Sequence, residues 1–96
     1  MKIKITPSFR NKLKDQVEFI AKDKPGAARK FKSDILKQIS SVSAMPYRAR
    51  KSIFFDRDDI RDLIFKGYIT VYKINAKEDS IEFFGFTKYE DNPFNR

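Results

Sequence analysis

Three features of the sequence predict an α+β fold in the order β-α-α-β-β-β. Apolar residues in the first half recur at helical spacing, in two runs broken around Pro25-Gly26. Beyond Met45-Pro46 the pattern changes to the alternation expected of strands. Helical runs precede strand runs rather than interleaving with them. That order argues for an antiparallel sheet with a two-helix hairpin packed on one face. The 96 residues suit one modest core, so 1–96 reads as a single domain, with about 91–96 as a loose tail.

Each element has a local reason. Lys2-Ile3-Lys4-Ile5 alternates, which suggests a short strand with Ile3 and Ile5 inward. Thr6 can cap a helix that Pro7 opens, because proline has no N–H to leave unsatisfied in the first turn. Phe9, Leu13, Val17 and Ile20 form the apolar stripe of a helix over 8–22. Asp23-Lys24-Pro25-Gly26 breaks it. Ala28, Phe31, Ile35, Ile39 and Val42 then mark a second helix over 26–43, with Arg29, Lys30, Lys32 and Lys37 outside. Ser52-Ile53-Phe54-Phe55 reads as a strand and 56–59 as a polar turn. Residues 60–65 and 68–74 form a hairpin whose turn uses Gly67. Asn75 to Ser80 is another polar turn, and 81–87 is the last strand, with Gly85 a bulge or close-approach site. The helices cover one sheet face and the other is expected to stay open.

Composition removes several classes of function. There is no cysteine, which excludes disulfides and thiolate metal sites, and no histidine, the commonest general base. Catalysis would fall to Lys, Arg, Tyr or carboxylates, and no cofactor is expected. No apolar run approaches the ~18 residues of a membrane span, and the N-terminus lacks an apolar signal core. The reading is a soluble cytoplasmic protein without membrane contact. The net charge of +8 is uneven: residues 1–51 hold 14 Lys/Arg against 4 Asp/Glu, and 52–96 hold 7 against 9. A basic half beside a near-neutral one suggests a polyanion or an acidic protein as partner.

Three motifs resemble the RelE/ParE superfamily of bacterial toxins, over roughly residues 3 to 90. Lys24-Pro25-Gly26-Ala27-Ala28 ahead of Phe31 is similar to the family's Asn-Pro-x-Ala-Ala opening of its second helix. Met45-Pro46 before a basic patch resembles its Phe-Pro and Gly-Arg segment. Ile60-Arg61-Asp62-Leu63 with Gly67-Tyr68-Ile69-Thr70-Val71-Tyr72-Lys73-Ile74 resembles Arg-Glu-Leu followed by Gly-Tyr-Arg-x-x-Tyr-Arg-Val. The resemblance implies the toxin half of a type II toxin–antitoxin module, a plasmid-stabilisation type of system. A ParE-like member blocks DNA gyrase and a RelE-like member is a ribosome-dependent mRNA endoribonuclease. A further alternative is a non-toxic relative that keeps only antitoxin binding. The implied partners are a small acidic antitoxin, in a hetero-oligomeric complex, and either gyrase or the ribosome with its mRNA.

Departures from the nuclease pattern favour the ParE-like branch. Ile69 stands where that branch has Arg after Gly-Tyr, and Thr87-Lys88-Tyr89 contains neither the expected Arg nor a His. Were the protein a nuclease, Tyr89 as acid and Glu90 as base, beside Lys88 and with Arg61 or Lys51 on the developing charge, is the constellation available. Arg48, Arg50, Lys51, Arg57 and Arg61 are the candidates for gripping phosphate, target or an acidic antitoxin. Lys73 is expected on the open face beside Arg61 and Lys51 as part of an anion site. Tyr68 and Tyr72, four apart on one strand, should both face the helices. Asp56, Asp58 and Asp59 read as a solvated turn rather than a metal site.

Overall fold

A computed structural model of the chain describes residues 1–89. Glu90 and the tail at 91–96, read above as a base and as a loose end, lie outside the described residues. The elements are β1 (Lys2–Ile5), α1 (Pro7–Ala21), α2 (Pro25–Val42), β2 (Arg50–Lys51), β3 (Ile60–Phe65), β4 (Tyr68–Asn75) and β5 (Ser80–Lys88). The β-α-α-β-β-β order is as expected, the short β2 standing in for the strand expected at 52–55, and the architecture is mixed α+β. No helix among the described residues is long and apolar enough to cross a membrane.

Capping sets the helix starts. The Thr6 hydroxyl oxygen accepts the Phe9 N–H at 3.1 Å, and Pro7 occupies the first turn. Pro25 opens α2 in the same way, although Lys24 offers no side-chain cap. The two helices lay Phe9, Leu13, Phe31, Ile35 and Ile39 on the sheet against Tyr72, Ile74, Ile81, Phe83 and Phe86. Aromatic rings lock this layer. Phe9 meets Phe83 and Phe86 at 5.9 and 5.8 Å, and the Tyr68 ring stacks on Phe86 at 5.4 Å. Burying rings of this size stabilises the packed layer.

The sheet order is β1-β5-β4-β3-β2. β2 to β5 pair antiparallel, as the sequence suggests, but β1 joins β5 in parallel. Parallel neighbours need a long crossover, and everything between β1 and β5 serves as one. Ile5 packs on the core. Ile3, on the same side, sits where the helices no longer cover it and is 38% exposed.

Two further details differ from the sequence reading. The strand expected at 52–55 is only Arg50–Lys51. After the Ser52 N–H bonds Ile60 O at 2.9 Å, side chains capture the next donors: Asp62 Oδ2 accepts the Ile53 N–H at 3.0 Å and Ser52 Oγ accepts the Phe54 N–H at 3.2 Å. Side chains that take backbone donors end a ladder. Phe54 and Phe55 pack over Ile60, Ile69 and Val71 beside Phe84, so the second sheet face is covered there rather than open.

The bulge falls beside Gly85. Val71 pairs Gly85 and Tyr72 pairs Phe83, which leaves Phe84 as the extra residue. The extra residue resets the alternation of β5. Ile81 and Phe83 face the helices before it and Phe86 after it, while Phe84 joins the second face. The β3–β4 turn has φ of 50° at Lys66 and 81° at Gly67, the doubly positive geometry of a two-residue hairpin.

Candidate functional surface

Arg61 and Tyr72 are direct cross-strand partners, so they share a face. Both reach past the end of α2 to the same loop. The buried Tyr72 donates its hydroxyl to Pro46 O at 2.6 Å, and burial pushes its phenol up to about 12. Arg61 donates Nε to Asp58 O at 2.9 Å and a terminal N–H to Ala49 O at 3.2 Å, with its guanidinium 5.1 Å from the Tyr47 ring centroid. A cation over an aromatic face adds to this grip. The strand pair therefore pins residues 46–49 from below and leaves Met45, Tyr47 and Arg48 exposed on top. Beside them runs a groove of about 690 Å³ lined by Gln38, Ser41, Val42, Met45, Arg48 and Leu63, among others.

The neighbouring charges mostly hold the fold. Arg50 reaches Asp62 at 3.3 Å, whose side chain is fully buried and whose Oδ1 finds no partner among the described residues. Lys51 bridges Asp56 at 3.2 Å and Asp58 at 3.8 Å. Arg57 grips Asp59 with two bonds of 2.9 and 2.7 Å, and those bonds hold the Asp59 carboxyl below its usual range. Of the five basic side chains from 48 to 61, that of Arg48 alone makes no hydrogen bond, ion pair or ring contact among the described residues; its backbone N–H donates to Met45 O at 3.1 Å.

Lys73 is not beside Arg61 and Lys51. Lys73 pairs with Ile60 and lies on the second face, whereas Lys51 and Arg61 pair with each other on the helix face with Tyr72. The anion site expected from these three is not formed, because one residue of register reverses the side. Lys73 instead lines a small hollow with Lys4, Glu78 and Glu82.

The candidate nuclease group is also divided. Tyr89 donates its N–H to Gly67 O at 2.7 Å, and Lys88 pairs with Tyr68, at the turn end of the hairpin. Arg61 lies four positions along β3 from Phe65, the residue opposite Tyr68. At ~3.3 Å per residue that is about 13 Å of strand. Besides its neighbour Lys88, Tyr89 has Lys66 of the turn near it in the register, whose Nζ is bound to Asp34 at 3.0 Å.

Sequence reasoning missed Tyr47 and Met45 as exposed flanks of the surface and Asp62 as the buried acceptor that holds Arg50 and the Ile53 N–H. A polar residue inside an apolar strand, as Asp62 is, was the available signal. Tyr47 gave none, because nothing local says that Arg61 will fold beneath its ring.

Two comparisons bear on this arrangement. The family model for the ParE toxin of type II toxin–antitoxin systems (parDE) matches residues 3–92. No curated protein matches the chain.

Proposed function

Because the chain belongs to the ParE toxin family, we propose that it acts in the bacterial cytoplasm by blocking DNA gyrase, and that a small acidic antitoxin neutralises it in a hetero-oligomeric complex. Membership itself makes it the toxin of a type II system and implies an antitoxin partner. The observation that favours a protein target over mRNA cleavage is the separation of Tyr89 from Arg61 and Lys51 along the hairpin. Cleavage by a 2′-hydroxyl needs an acid, a base and a cation within reach of one phosphate. Arg61 is moreover engaged by two carbonyls and the Tyr47 ring.

In this reading Met45, Tyr47 and Arg48 touch the target. Methionine, tyrosine and arginine are the types enriched where protein interfaces carry their energy. Arg61 acts by holding that loop in place, while Arg50, Lys51 and Arg57 are engaged by Asp62, by Asp56 and Asp58, and by Asp59. The test is induction in bacteria with pulse labelling, followed by a supercoiling assay with purified gyrase. DNA synthesis should stop first, and supercoiling should fail without loss of RNA. Protein synthesis stopping first would replace this reading with the RelE-like one. Antitoxin binding with both syntheses intact would mark a non-toxic relative.

A further inference from the structure

The outer face of α2 is not used by any part of this reading. Arg29, Ser33, Lys37 and Ser41 recur every four residues and are all exposed. Residues four apart follow one stripe of a helix, about 6 Å apart along its axis, so these four cover about 18 Å. Arg29 and Lys37 have no acidic partner among the described residues. Lys30 adjoins the stripe. The only carboxylate of α2, Asp34, is bound by Lys30 at 3.1 Å and Lys66 at 3.0 Å and does not offset the stripe. At the end of the helix Ser41 lines the same groove as the unpaired Arg48, so the basic track continues onto the loop.

We propose that this stripe is a binding surface for the phosphate backbone of duplex DNA, held without reading its sequence. Arginine, lysine and serine hydroxyl are the groups that contact phosphate oxygens; the Ser41 hydroxyl donates to Gln38 O at 2.8 Å, so Arg29, Ser33 and Lys37 are the donors free for phosphate. A protein partner would want apolar anchors in the middle of the contact, and the stripe has none. The exposed Leu36 lines the α1–α2 groove with Leu13 and Val17 instead. Single-stranded nucleic acid is usually held on aromatic platforms where bases stack, and the stripe has no aromatic residue. Duplex DNA held here would lie alongside Met45, Tyr47 and Arg48. The inference concerns the free toxin and does not depend on gyrase being the target.

Fluorescence anisotropy of the full chain with a labelled random-sequence duplex, over a range of salt, tests it. The double variant Arg29→Gln/Lys37→Gln should weaken binding about tenfold and lower the slope of log affinity against log salt by about 2, at ~0.9 per phosphate contact. The control Lys2→Gln/Lys77→Gln removes the same charge from exposed positions far from α2 along the chain. It should leave affinity and slope nearly unchanged. All four positions are exposed, and circular dichroism will confirm that both variants fold. An equal loss in both variants, an unchanged slope in the α2 variant, or no duplex binding at low salt overturns the proposal. So does single-stranded RNA or polyglutamate binding as tightly as the duplex, which would make the stripe an RNA or an acidic-protein surface.

Discussion

The Tyr72 hydroxyl donates to Pro46 O at 2.6 Å from a ring with no exposed surface, while Arg61, its partner across the ladder, holds Ala49 O at 3.2 Å. A rigid sheet thereby fixes a loop that has no regular structure of its own. Fixing it in advance lowers the ordering cost when a partner docks.

Tyr72→Phe removes one bond of this pair and leaves the ring in place. The variant orphans a carbonyl rather than opening a cavity, so the loss should be about 1–2 kcal/mol by urea denaturation. Amide exchange should quicken in 45–49 more than in the strands. Uniform quickening would mean that the hydroxyl stabilises the fold as a whole and not this loop.

The same residue sets an alkaline limit. The Tyr72 phenol is raised from 10.0 to about 12 because burial disfavours phenolate. Between those values the unfolded chain releases a proton that the folded one keeps, so stability falls as pH rises from 10 toward 12. A shift of this size corresponds to about 3 kcal/mol at most. Tyr72→Phe should flatten that part of the curve, as read from the urea midpoint at several pH values. Burial raises Tyr68 in the same direction and should leave a smaller slope in the variant.

The acid side turns on Asp34, whose carboxyl lies below 3.8 chiefly because Lys66 and then Lys30 donate to it. A depressed carboxylate stabilises the fold above its unfolded pKa and loses that contribution as pH falls through the folded value. Asp34→Asn should therefore lower stability at neutral pH and reduce the loss below pH 3.8, where Asp59, lowered by Arg57, also contributes. The bonds are exposed, so added salt should shrink the difference between the two proteins at neutral pH.

How much of this was legible in the sequence depended on the range of the interaction. The stripes of Phe9, Leu13, Ile35 and Ile39 and the turn at Gly67 are local patterns, and they gave the elements and their order. Tyr68 and Tyr72 facing the helices followed from strand parity. The anion site of Lys51, Arg61 and Lys73 failed because its members lie on different strands, where register decides the face and neither strand alone reveals it. The strand expected at 52–55 failed for a related reason. Asp62, distant in sequence, takes the Ile53 N–H that a ladder would have used.

That contact gives a further stability prediction. Asp62 accepts from Arg50 and from the Ile53 N–H with a fully buried side chain. Asp62→Ala leaves a buried donor and the Arg50 guanidinium without an acceptor and should cost about 2–4 kcal/mol. Asp62→Asn keeps an acceptor for Ile53 and should cost about half as much. The Ala variant should also release Phe54 and Phe55 from the second face, seen as binding of a hydrophobic dye. Equal losses in the two variants would assign the contribution to charge alone.

Arg48 and Arg61 separate contact from support. The Arg48 side chain is exposed and has no partner among the described residues, so Arg48→Ala should change stability by less than about 0.5 kcal/mol. If it meets the target directly, growth arrest and gyrase inhibition should still weaken about tenfold, the effect of ~1.4 kcal/mol of lost contact. Arg61→Ala should lose both activity and stability, because the loop loses Ala49 O, Asp58 O and the Tyr47 ring together. Tyr89→Phe should leave growth arrest unchanged, since its hydroxyl has no role in a protein contact made at the other end of the hairpin. Loss of toxicity in Tyr89→Phe with full retention in Arg48→Ala would move the active surface to the turn end of the sheet and reinstate RNA as the substrate.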